Sequence, residues 1–72
     1  MTDTKLLREK IERSVYKMKF IAEKVGVSYQ GLLNKINKKS EFRANEIQII
    51  HELLGMTEQE RVEIFFANKV GK

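Results

Sequence analysis

The 72-residue chain has no cysteine, so disulfide bonds, thiolate zinc sites and thiol nucleophiles are all excluded. It has one histidine, which cannot build a metal site alone, and we expect no cofactor and no small-molecule ligand. No apolar run exceeds four residues, whereas a membrane-spanning helix needs about twenty. The start of the chain also lacks the pattern of a signal peptide. We therefore expect a soluble, cytoplasmic protein without a membrane partner.

The chain is also short and poor in residues that interrupt helices. A chain of this length buries only about 60% of the surface that its unfolded form exposes, which predicts a thin core and leaves little room for a buried active site. We expect one domain spanning residues 1–72. Proline is absent and there are only four glycines, so few positions break a helix. These features predict an all-α fold.

Apolar spacing and capping residues divide the chain into five predicted short helices. The first begins at Thr2, Asp3 or Thr4 and fades near Ser14. The others cover about residues 18–25, 28–37, 44–54 and 58–68. Gly26 is placed to stop the second helix in a left-handed conformation, and Ser28 is a good cap for the third. Residues 57–60 read Thr-Glu-Gln-Glu, which fits a capping box at the start of the fifth.

Positive charge is concentrated in the middle of the sequence. Residues 17–43 contain seven basic and two acidic residues, whereas the rest of the chain contains seven basic and eight acidic residues. Such a cluster favours an anionic partner, with nucleic acid ahead of an anionic membrane. A solvated lysine surface is the alternative interpretation of the same cluster.

The most specific pattern joins the second and third predicted helices. Two helices that cross at a sharp angle need a small residue at their contact, a glycine in the turn and an apolar residue after it. Ala22, Gly26 and Val27 meet these needs, and Leu32 and Ile36 give the third helix a face directed back onto the second. This pattern resembles the helix-turn-helix of bacteriophage repressors and Cro proteins, the XRE-like family.

The resemblance covers roughly residues 5–66. It includes Tyr16-Lys17, Lys35-Ile36-Asn37, Phe42 and Glu46-Ile47, and is closest to the small, single-domain Cro-like proteins of phages and prophages of Gram-positive bacteria. It implies a compact five-helix lambda-repressor-like DNA-binding domain. The sequence departs from the family at Met18, where many relatives carry a glutamine that binds a phosphate.

The resemblance implies that the third helix enters the major groove with its first residues against base edges, while the second crosses the backbone. The implied base-reading residues are Tyr29, Gln30, Gly31 and Asn34. Side-chain amides can hold the N6/N7 edge of adenine through two hydrogen bonds, and a glycine permits close approach. Helical periodicity directs Tyr29 toward the core, whereas its family position directs it toward DNA, as a partner of a phosphate or a thymine methyl group.

The polar and basic residues around these helices are interpreted as phosphate contacts, which fix register without reading sequence. The predicted set is Lys17, Lys19, Ser28, Lys35, Asn37, Lys38, Lys39 and Arg43. For each lysine a solvated surface position is the alternative, and for Ser28 the alternative is a purely structural helix cap.

One helix-turn-helix reads few base pairs, so we expect a homodimer on two half-sites about 34 Å apart. The candidates for the self-contact are Ile49, Ile64, Phe65, Phe66 and Val70. Ile49 and Ile64 fall outside the main apolar stripes, which favours a surface role for them. A core role is the alternative, and it is stronger for Phe65 and Phe66 than for Ile64.

The sequence thus predicts a sequence-specific, double-stranded DNA-binding transcriptional regulator, a Cro-like repressor that occludes a promoter. No nucleophile, base and orienting group occur together, so no enzymatic activity is expected. His51 fits a surface or boundary position, and the glutamates of the fifth helix fit capping. The rival interpretation is a protein-binding helical module, such as an antitoxin or a phage modulator, that uses an apolar surface of the fourth and fifth helices.

Overall fold

The computed structural model describes residues 2–66, and in this part of the chain helices are joined by turns and loops, without strands. The helices are α1 (Thr4–Arg13), α2 (Met18–Val25), α3 (Tyr29–Ile36), α4 (Ala44–Leu53) and α5 (Glu58–Phe65). The all-α prediction of five helices is confirmed. The predicted end of the fifth helix near residue 68 is wrong, because α5 ends at Phe65. None of these helices is long and apolar enough to cross a lipid bilayer.

At the starts of α1 and α3 a side chain accepts a hydrogen bond from a backbone N–H that would otherwise be unpaired. The backbone N–H of Leu6 donates to the Asp3 carboxylate at 3.1 Å, which makes Asp3 the cap of α1. The N–H of Gly31 donates to Ser28 Oγ at 2.9 Å at the start of α3. An oxygen at this position satisfies one of the four free donors of a helix start. Ser28 is therefore the cap that the sequence predicts.

The predicted capping box opens α5 and also ties it to α1. The Glu60 N–H donates to the Thr57 hydroxyl at 3.0 Å, and the Thr57 N–H donates to Glu60 Oε1 at 2.9 Å. Lys10 of α1 forms an ion pair with the same carboxylate at 3.1 Å. The hydrogen bond from the Thr57 backbone, and after it the one from Lys10, lowers the pKa of the Glu60 carboxyl below its ordinary value.

The core lies where α1, α2, α3 and α4 meet. Its largest fully buried side chains are Leu7, Ile21, Leu32, Ile36 and Ile50. α2 packs on α3 and α4, and α1 packs on α3 and α5. Because Leu32 and Ile36 are one turn apart on α3, they anchor one face of this helix and leave the other face directed away from the core.

The core also includes residues of α5 that were predicted to contact a second subunit. Ile64 is only 4% exposed and Phe65 only 3% exposed, and the Phe65 ring packs edge-on against Phe42 at 5.4 Å. The expectation that the core leaves Ile64 for a self-contact is therefore wrong, because α5 is packed on α1 and α4. Ile49 and Phe66 are half-buried at the edge of this core.

A left-handed lysine ends α3. Lys38 has φ 67°, its N–H donates to the Lys35 carbonyl at 3.2 Å, and the Lys39 N–H donates to the Asn34 carbonyl at 2.8 Å. This pair of hydrogen bonds is the Schellman motif, whose left-handed position is usually glycine. A residue with a side chain is disfavoured there by about 1–2 kcal/mol, so the end of α3 is held in a strained conformation.

We expect Lys38→Gly to stabilise the protein. Removal of the left-handed penalty, offset in part by the greater freedom of glycine in the unfolded chain, leaves a gain of about 0.5–1 kcal/mol. The melting temperature measured by circular dichroism should rise by roughly 2–8 °C. Gly26→Ala is the control, and it should lower the melting temperature, because Gly26 has φ 92° and a residue with a side chain is strained there. A Cβ at Gly26 would meet nothing within 4 Å, so this control reports the backbone conformation alone. A lower melting temperature for Lys38→Gly would contradict this account of the α3 end.

Candidate nucleic-acid interface

Two of the predicted base-reading side chains lie together on the outward face of α3. Gln30 is exposed and Asn34 is half-exposed, and Gln30 Nε2 donates to Asn34 Oδ1 at 3.1 Å. Residues four apart share a helix face, so the pair needs no support from another element. The contact leaves the Gln30 carbonyl as an acceptor and the Asn34 NH₂ group as a donor. Such a pair of groups matches the donor and acceptor on the major-groove edge of adenine.

Tyr29 lies at the surface, next to this amide pair. It is 51% exposed, whereas helical periodicity alone directs it toward the core. The buried stripe of α3 begins at Leu32 and continues with Ile36, so the first residue of the helix lies beyond it. Tyr29 is thus accessible to a partner at the surface and is not part of the core.

The helix cap explains why position 31 is a glycine, in addition to the predicted close approach to DNA. A Cβ at this position would lie 3.0 Å from Ser28 Oγ, the atom that caps the helix, and 3.6 Å from the Val27 side chain. A larger residue would therefore disturb the cap that positions the start of α3. The absence of a side chain at Gly31 serves the helix cap, and it also leaves the backbone between Gln30 and Asn34 uncovered.

Five of the predicted phosphate-binding residues are exposed cations. They are Lys17 and Lys19 at the start of α2, Lys38 and Lys39 after α3, and Arg43 before α4. Within residues 2–66 their side chains form no ion pair, and the cations that do so are Lys10, Lys35 and Arg61. These five charges are available to an anionic partner.

Lys35 is not placed as a phosphate contact, which corrects the prediction. Its ammonium nitrogen lies 3.1 Å from Glu46 Oε1 and 3.1 Å from the Glu41 carbonyl oxygen, and 6.0 Å from the centre of the Phe42 ring. Its side chain is 12% exposed and that of Glu46 is 8% exposed. Lys35 turns inward because Glu46 and the 37–43 loop offer it a partner, and it joins the end of α3 to the start of α4.

Asn37 accepts a hydrogen bond from a residue that was not among the predicted phosphate contacts. The exposed Arg8 of α1 donates through Nη2 to Asn37 Oδ1 at 2.6 Å. The contact places the Arg8 guanidinium at the end of α3, so that Arg8 joins the five exposed cations as a sixth. Arg8 lies outside the 17–43 charge cluster and 29 residues from Asn37. Only the packing of α1 against α3 could reveal this contact, since no local pattern marks it.

Acidic residues and the histidine do not gather into a metal site in the described part of the chain, where no three potential ligands lie close together. His51 is half-buried, and its Nδ1 has no hydrogen-bond partner among residues 2–66. Arg61 donates to the Glu58 carboxylate, which lowers the pKa of Glu58. Of the α5 carboxylates, Glu60 belongs to the capping box and Glu58 pairs with Arg61.

Comparisons of the chain with protein-family models, with curated proteins and with solved structures found no match.

Proposed function

We propose that the protein is a sequence-specific regulator of transcription that binds double-stranded DNA through α3, in the manner of a Cro-like repressor with a helix-turn-helix formed by α2 and α3. One observation carries the proposal: the Gln30–Asn34 amide pair lies on the outward face of α3, and the start of α2 and the segment after α3 carry exposed cations. Exposed amides can read bases, while exposed cations can bind phosphates.

In this proposal the first half of α3 enters the major groove and the start of α2 meets the backbone. Gln30 and Asn34 bind the edge of an adenine, and Tyr29 contacts a neighbouring base or phosphate. Lys17 and Lys19 bind the phosphates on one side of α3. The cations after α3, together with Arg8 and Asn37, bind those on the other side. Each well-formed amide–adenine pair contributes about 1–3 kcal/mol of discrimination against the wrong base.

Two copies bound to adjacent half-sites provide the length of DNA sequence that one α3 cannot read, and the occupied operator excludes the transcription machinery from the promoter. Burial of Ile64 and Phe65 removes them as contacts between folded subunits. Ile49, half-buried on α4, stays a candidate for the self-contact. Val70 lies outside the described residues.

The proposal is tested by selecting bound sequences from a pool of random duplex DNA. The wild-type protein should recover an inverted repeat. Gln30→Ala and Asn34→Ala should each relax the consensus at one or two positions per half-site and weaken binding of the wild-type operator about 5- to 150-fold. Gln48→Ala is a matched control, since Gln48 makes the same kind of i, i+4 contact, to Glu52 at 2.8 Å, on α4.

A consensus that is unchanged in the two α3 variants would contradict the assignment of these residues. Recovery of no sequence at all would contradict DNA binding and favour the rival protein-binding module. The rival interpretation assigned partner binding to an apolar surface of α4 and α5. That surface has little support, because Ile64 and Phe65 are buried.

A further inference from the structure

An open apolar groove lies beside the start of α3, and the proposed contacts of Gln30 and Asn34 do not use it. It has a volume of about 730 Å³ and is bounded by the α1–α2 connection, α2 and the turn before α3. Its apolar lining includes Val15, Tyr16, Phe20, Val27 and Tyr29. Val15 is 89% exposed and Phe20 is 36% exposed. A concave surface of this size that is lined mainly by apolar side chains, with a few polar groups at its edge, is a common form of binding site.

The charged residues that line the groove favour an occupant with negative charge. Lys17 and Lys19 line it and, within residues 2–66, neither side chain has an ion-pair partner. Glu23 is the acidic residue in the lining, and Lys24 lies over the Phe20 ring at 5.4 Å. Positive charge thus exceeds negative charge at the groove. An occupant that places an apolar group inside and anionic groups at Lys17 and Lys19 is complementary to it.

Two of the three aromatic residues of the groove pack against each other and so offer a reduced platform for stacked bases. Tyr16 and Phe20 stack on each other with ring centres 5.1 Å apart and an interplanar angle of 17°. One face of Phe20 is therefore covered by Tyr16, and Lys24 lies over the ring as well. The groove offers aliphatic groups and ring edges, which suit a small apolar group better than a planar base.

Tyr29 connects the groove to the proposed base-reading face. It lines the groove and is also the first residue of α3, immediately before Gln30. A DNA strand bound by Gln30 and Asn34 would thus have Tyr29, and with it the edge of the groove, next to it. In the major groove of duplex DNA the distinctive apolar group at a base edge is the thymine C5-methyl, and it lies close to the phosphates of its own strand.

We propose that this groove binds pyrimidine 5-methyl groups of the DNA strand whose phosphates lie on Lys17 and Lys19, and that it makes the protein select thymine next to the bases read by α3. This inference rests on the proposed function and extends it to a second reading site. Val15, Val27 and Tyr29 supply the contact surface, and the exposure of Val15 is explained by its partner being DNA.

The test uses the full chain and an operator recovered by selection from random duplexes. Each thymine is replaced in turn by deoxyuridine, which lacks the methyl group and keeps the same hydrogen-bonding edge. One or two replacements outside the positions sensitive to Gln30→Ala and Asn34→Ala should weaken binding about fourfold each, as expected for one buried methyl group. Val15→Ser should abolish this sensitivity, and it should not disturb the fold because Val15 is 89% exposed.

Leu6→Ser is the matched control. Leu6 is a 38% exposed apolar residue of α1 that does not line this groove, so its replacement should leave the deoxyuridine effects intact. If the operator binds but no deoxyuridine matters, or if the sensitivity persists in Val15→Ser, the groove serves another occupant such as an acidic protein surface, and this inference is overturned while the proposed function stands. Failure to recover any operator overturns the proposed function itself.

Discussion

Glu46→Ala should destabilise the protein by about 3–5 kcal/mol, because it leaves the Lys35 ammonium group buried without its partner. The two side chains are 12% and 8% exposed, so water screens their interaction little. Glu46 also accepts the Arg43 backbone N–H at 2.8 Å at the start of α4, and alanine removes that hydrogen bond as well. A chain of this length has roughly 4–11 kcal/mol of stability in total, so much of it would be lost.

Urea unfolding measures this effect, and two further variants separate its causes. Glu46→Gln keeps an acceptor for the Arg43 N–H and should cost clearly less than Glu46→Ala. The double variant Lys35→Met with Glu46→Leu replaces both charges by apolar groups and should recover most of the loss. If Lys35→Met alone changed the free energy of unfolding by less than about 0.5 kcal/mol, Lys35 would not hold the structural position assigned here, and the phosphate-contact interpretation would return.

DNA affinity should fall steeply with salt, and this is the largest functional effect that we expect. Neutralising one phosphate contributes about −0.9 to the slope of log affinity against log salt. Six contacts per subunit, from the five exposed cations and Arg8, give a slope of about −5, or about a thousandfold loss between 50 and 200 mM salt. The slope is measured by fluorescence anisotropy with a labelled half-site duplex.

Single substitutions measure how much each residue contributes to the slope of log affinity against log salt. Lys17→Ala, Lys39→Ala and Arg43→Ala should each make it less steep by about 0.9. Lys5→Ala is a control from the exposed surface of α1, and it should leave the slope unchanged. Lys35→Met should also leave the slope unchanged while it lowers affinity, since Lys35 supports α3 without touching a phosphate. A slope near zero for the wild-type protein would contradict a phosphate-binding surface.

Local signals in the sequence were sufficient to predict most helix boundaries. Gly26 and Ser28 fix the end of α2 and the start of α3 through interactions within a few residues, and the Thr57 capping box does the same for α5. Such interactions leave a pattern that can be read directly. The end of α3 was harder to predict in conformation, because a lysine at position 38 gives no sign of a left-handed residue.

Features that depend on packing between distant segments could not be predicted. Lys35 and Glu46 are eleven positions apart and become partners only when α3 and α4 meet, so Lys35 was interpreted as one more surface cation. Ile64 lies outside the apolar stripe of its helix, yet it is buried because α5 packs on two other helices. The groove likewise exists only because the α1–α2 connection lies beside the start of α3.

In the proposed function, base reading depends on a short exposed segment. Ser28 caps the start of α3, Leu32 and Ile36 attach the helix to the core, and Gln30 and Asn34 lie on its outward face. The segment is short, but it is anchored at its start, along its inner face and, through Lys35, at its end. Such anchoring is what a side chain needs to distinguish one base from another.

Titration of the isotope-labelled protein with its selected operator duplex, followed through the backbone amide signals, tests that claim most directly. We predict that the largest shifts occur at residues 28–34 and at Lys17 and Lys19, with smaller ones after α3 and none on the exposed side of α5. Shifts confined to α4 and α5, with residues 28–34 unaffected by saturating duplex, would contradict the assignment of α3 as the DNA-reading helix.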